Sequence, residues 1–173
     1  ATGAQGAQGT TGAQGAQGPQ GAQGATGANG TGYRGGVTYT FSNSTINADP
    51  GTGVVRFNNS TASSITQIYI DNTDSGGNTV TAWYDTWSTS TNTSNRGQLV
   101  IQNAIFTGAN PILFTVNGAV TANVGYYTIP VAYVSGLIPT SGTTIVIQFS
   151  RTGDVGAQGA QGFQGPQGAQ GAQ

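Results

Sequence analysis

The sequence predicts an all-β domain, of sandwich or jelly-roll type and trimeric, flanked on both sides by collagen-like triple helix. Three observations predict this. Glycine recurs at every third position from Gly3 through Gly30, and again from Gly153 through Gly171. Between those tracts the period changes to two, with apolar and polar residues alternating along short runs bounded by turn residues. No stretch in that central part carries a helical period with caps.

The tracts come first. An unbroken Gly-X-Y period is what three polyproline-II-like chains require, because only glycine fits at the axis where they meet. Here X is mostly Ala and Y mostly Gln, a long amide able to bond carbonyls and water. Proline stands only at Pro19 and Pro166 within the repeats, both in X, so a helix stabilised by hydroxyproline in Y is excluded. A single Gly-rich chain would be a flexible linker. Sustained phase on both sides favours the triple helix, and with it a homotrimer. Residues 1–30 are expected to form a shaft roughly 90 Å long at about 3.1 Å per residue. Residues 31–36 then form a glycine-rich junction, 37–150 the β domain and 151–173 the second shaft, with Gly3, Gly30, Gly153 and Gly171 marking the limits of the phase. Triple-helical chains are staggered by one residue, whereas a three-fold head holds its chains level. Gly30, Gly32, Gly35 and Gly36 are expected to absorb that mismatch, since the second junction is much shorter.

Strands are expected at 37–41, 54–58, 65–70, 79–84, 98–102 (continuing toward Phe106), 112–116, 119–123, 126–134 and 143–149. Asn117-Gly118 between alternating runs predicts a hairpin. Pro130 predicts an edge or a bulge. Many strand positions hold Thr or Gln, which predicts a modest core completed by burial against two further copies.

Composition limits the function classes. The chain has 173 residues, with four basic and five acidic side chains and a net charge of -1; Lys, Glu, His, Cys and Met are all absent. So little positive charge leaves almost no electrostatic footprint for nucleic acid. Catalytic acids, bases and activated nucleophiles normally draw on His, Cys, Glu, Lys or paired carboxylates. Here only isolated aspartates remain, none with a base partner to activate a Ser, so no catalytic residue is assigned, no enzymatic role is expected and no cofactor is implied. No apolar run is long enough for membrane insertion. With no initiator Met, and both ends inside the repeat, the chain is expected to be a segment of a longer fibre chain or a processed product.

Two clusters could carry binding. Asp71, Asp74 and Asn78, in a loop with Gly76 and Gly77, offer oxygen ligands for calcium; ordinary turns have the same composition, and no metal site is assigned. Trp83, Asp85 and Trp87 fall on one side of an extended chain, with Tyr84 on the other, and pair rings with a carboxylate as carbohydrate sites do. Tyr126 and Tyr127 are a second aromatic pair. The alternative is that these rings pack in the core or in the trimer interface. Phe163, in an X position, is a candidate docking point for a neighbouring fibre.

The run Gly21 to Asn29, GAQGATGAN, resembles the collagen-like segments of bacteriophage tail fibres; similar tracts occur in bacterial surface and spore-coat collagen-like proteins. The central part resembles a domain found between such repeats in phage-type fibre proteins. The likeness is carried by Phe41-Ser42, Asp49-Pro50-Gly51, Arg56-Phe57-Asn58-Asn59, Ile68-Tyr69-Ile70-Asp71, Ala82-Trp83, Val131-Ala132-Tyr133-Val134-Ser135-Gly136 and the stretch from Gln148 to Asp154. The resemblance implies a trimeric extracellular or virion fibre, and brings with it no enzymatic activity and no receptor identity. Partners are then further copies of the chain, end to end in a fibre, and possible host-surface glycans. A cell-derived filament or adhesin, and a lectin-like bead, are the alternative readings.

Overall fold

The structure is a computed structural model that describes residues 35–105 and 111–156. Expectations about the first tract, Gly30 and Gly32 of the junction, Phe106, and the second tract beyond residue 156 with Phe163 and Gly171 lie outside the described residues.

Eight strands follow in chain order: β1 Val37–Ser42, β2 Val54–Phe57, β3 Gln67–Asp71, β4 Gly97–Asn103, β5 Ile112–Val116, β6 Thr121–Ala122, β7 Tyr126–Ser135 and β8 Thr144–Arg151. The all-β expectation holds. The sheet, however, is not split into two layers. Its order is β3-β2-β1-β8-β4-β5-β7, and β7 pairs again with β3, so seven strands close into a barrel. Closure removes every free edge from that ring, which a sandwich leaves exposed. An odd ring cannot alternate in direction all the way round, so one neighbouring pair must run parallel. That pair is β1 with β2. Residues 43–53 carry the chain back to start β2 in the same sense, and Arg56 holds this return: its guanidinium donates to Ser44 Oγ (3.4 Å), the Ile46 carbonyl (3.4 Å) and the Asp49 carbonyl (3.1 Å).

Alternation decides what fills the barrel. Val37, Tyr39 and Phe41 on β1, Leu99 and Ile101 on β4, Ile112, Phe114 and Val116 on β5, and Ile145, Ile147 and Phe149 on β8 all point inward and are buried. Thr38, Gln98, Gln102, Thr115 and Gln148 point outward. The expectation of a modest core is therefore corrected: Thr and Gln line the wall outside, and the inward side chains are apolar apart from the hydroxyls of Tyr39 and Tyr84.

The Asn117-Gly118 hairpin is also corrected. β5 and β6 both pair antiparallel with β7 in nearly continuous register, Val116 with Val131 and Thr121 with Thr128. They are one strand interrupted by a bulge at 117–120. Pro130 explains the interruption. It has no N–H for the ladder, and its ring lies where a Cβ on Gly118 would meet it at 2.8 Å. The chain reverses later, at Val124-Gly125, where Gly125 takes φ 86° and Asn123 N donates to the Tyr126 carbonyl at 2.8 Å.

The third correction concerns residues 79–84. They form no strand; a short helix, α1 (Thr81–Asp85), runs into a 3-10 turn, Thr86–Ser88. Val80, Tyr84 and Trp87 lie at helical spacing and are all buried. Burial of these three side chains sets the conformation against the β preference of the aromatic residues. The turn closes one end of the barrel, the end where β1 begins and β8 finishes, here called the entry pole. At the far pole lie the ends of β1, β4 and β7.

Candidate binding surface at the entry pole

Beneath α1 the rings pack against one another. Trp87 stacks on Phe149 with centroids 4.7 Å apart, and Trp83 and Tyr84 meet its edges at 4.8 and 5.3 Å. Tyr84 also lies against Tyr127 at 5.1 Å. Tyr39 and Tyr84 hydroxyls bond each other, and each reaches the Asp71 carbonyl at 3.3 Å. Burial pushes the Tyr84 hydroxyl far above the usual tyrosine range, with Tyr39 adding to the effect, so it stays protonated as a donor.

Of the predicted cluster, Trp87 is wholly buried and offers no face to a ligand; for it the packing alternative applies. The shared side predicted for Trp83, Asp85 and Trp87 is replaced by helical geometry. Trp83 and Trp87 remain neighbours, while Asp85 turns out to solvent with Ala82 and Thr86. Tyr127 joins the site, its hydroxyl donating to Asp85 Oδ1 at 2.8 Å. Burial and that carboxylate raise the Tyr127 hydroxyl above its ordinary value. Tyr126 does not join. It faces outward, edge-on to Tyr69, and donates to Asn47 Oδ1.

The calcium candidates do not converge. Asp74 Oδ1 accepts from Gly76 N (2.9 Å), Asn78 N (2.8 Å) and Asn78 Nδ2 (3.1 Å), which is a side-chain-closed turn. Burial alone would raise its carboxyl, but the donors of Asn78 and Gly76 outweigh this and hold it below the ordinary value. Asp71 Oδ1 accepts from Gly53 N (3.3 Å), Thr73 N (2.8 Å) and the Thr73 hydroxyl. Among the described residues no three carboxylates gather into a possible metal site.

Sequence reasoning missed the two arginines that tie the entry pole together. Arg96 donates to the Ser88 and Ser90 carbonyls. Arg151 donates to Thr89 Oγ1 and O, and to Asp154 Oδ1 at 2.8 Å. The Thr91 backbone, with Arg151 behind it, holds the Asp154 carboxyl below its ordinary value. Gly153, expected only as the first glycine of a tract, is buried, and its carbonyl accepts from Ser90 Oγ. Nothing local in the sequence marks these long-range bonds. The spacing of Val80, Tyr84 and Trp87 was the one available signal for the helix.

No protein-family model matches the chain, and comparison with curated proteins and with solved structures also found no match.

Proposed function

We propose that this chain is a structural segment of a trimeric extracellular fibre, most readily a phage tail fibre, whose β-barrel aligns three collagen-like chains. One observation carries the reading: in-phase glycine tracts bracket the barrel on both sides. A Gly-X-Y tract gains nothing as a single chain, since its glycines serve only an axis shared by three. The tracts are also nearly uniform, GAQ after GAQ, so a slip of three residues changes few contacts. A folded domain between them supplies the register they lack. The asymmetry of the junctions fits this role. Gly35 and Gly36 take φ of 101° and 94°, while the exit from β8 through Val155 is tied to Thr89 and Thr91. The test is far-ultraviolet circular dichroism of the chain during slow heating, with its mass in solution measured alongside. A positive triple-helix band that melts cooperatively in a trimer is expected. A monomer without that band overturns the reading.

A further inference from the structure

Both ends of the barrel chain leave from the same pole. Val37 pairs with Ile147, and Gln148 Nε2 donates to the Gly35 carbonyl at 3.2 Å. A Cβ on Gly36 would come within 2.5 Å of the Ile147 carbonyl oxygen. β8 then ends at Arg151, and its continuation is bonded down: Thr152 N donates to the Arg96 carbonyl (2.9 Å), Thr91 N to Asp154 Oδ1 (2.9 Å) and Val155 N to Thr91 Oγ1 (2.8 Å). A chain threaded through a bead would enter at one pole and leave at the other. This one enters and leaves beside α1.

We infer that the entry pole, centred on α1 and the half-buried Trp83, is the surface on which a second and a third copy of this chain dock. The inference rests on the triple-helical reading, because that reading ties three entry poles to one axis. The tethers are short. Residues 31–36 reach no further than about 20 Å at ~3.3–3.6 Å per residue, and on the exit side the glycine phase resumes at Gly153, inside the bonded segment. Three copies of this pole are therefore held at high effective concentration.

The chemistry of the surface fits that occupant. Trp83 is half-buried against Trp87, beside the exposed small residues Ala82, Thr86 and Thr89. A large ring among small neighbours is the kind of anchor on which interfaces concentrate their energy.

The chain contains no cysteine, so a single introduced thiol reports its own surroundings. In the full chain, Ala82→Cys treated with a short bismaleimide is expected to yield covalently joined chains, and Thr86→Cys to do the same. Leu137→Cys, exposed at the far pole, is expected to remain single. With the bismaleimide added only after heating past the loss of the triple-helix band, both α1 variants should stay single. A trimer that carries the band but leaves both α1 thiols uncross-linked overturns this inference and spares the fibre reading. A monomer without the band overturns both.

Discussion

The two poles of the barrel are closed by different means. At the entry pole a helical turn lowers Tyr84 and Trp87 onto Tyr39 and Phe149, and two arginines fasten the surrounding loops. At the far pole the closing loops are rich in Ser, Thr and Asn, and leave Ile105, Val134 and Leu137 exposed. Rings meet toward both poles, Phe41 with Phe57 and Phe57 with Phe114 on the far side; the entry pole differs in covering its rings with α1. Structural cost should therefore be high for the ring beneath α1, and the exposed side chains of the far pole should tolerate change.

Several substitutions break or sharpen that contrast. Trp87→Ala, which empties the space between Phe149 and Tyr84, is expected to destabilise the fold by about 3–5 kcal/mol, read as a lowered urea midpoint. Gly36→Ala forces a side chain into a left-handed conformation and against the Ile147 carbonyl. It is expected to cost at least about 1–2 kcal/mol by the same measurement. Tyr84→Phe keeps the ring and removes the hydroxyl shared with Tyr39, which predicts a loss of about 1 kcal/mol. Leu137→Ser at the far pole should stay within about 0.5 kcal/mol of the parent chain. If it costs as much as Trp87→Ala, the contrast between the poles is wrong.

Acid provides a further comparison. The Asp74 carboxyl is held below its ordinary value in the folded chain. Its contribution to stability is therefore present above the unfolded-state value and is lost as pH falls through the lower, folded one. Titrating the urea midpoint downward from neutral pH should show a decline over that acid range that is smaller in Asp74→Asn. An unchanged decline in that variant would assign the acid sensitivity to other carboxylates.

How far the sequence could be read depended on the range of the cause. Alternation placed most strands within a residue or two, because a side chain's face follows directly from its parity. Closure of the barrel was not legible: it rests on β7 pairing with both β3 and β5, and on the parallel pair β1–β2, and no local pattern encodes either. Asn117-Gly118 carried a genuine turn signal that the Pro130 ring overrode from another strand. Trp83 to Trp87 was recognised as a cluster but given the wrong period, because five helical residues without caps are too few to outweigh an aromatic β preference. The ties of Arg96 and Arg151 to the loop at 88–91 became visible only once distant segments were side by side.

The most direct test of the account is sedimentation of the barrel alone, residues 35–155, across a range of concentrations. The proposed aligning role predicts a trimer that persists on dilution to micromolar chain, formed without help from the glycine tracts. A folded monomer throughout that range would contradict it, and would leave the tracts to find their register unaided.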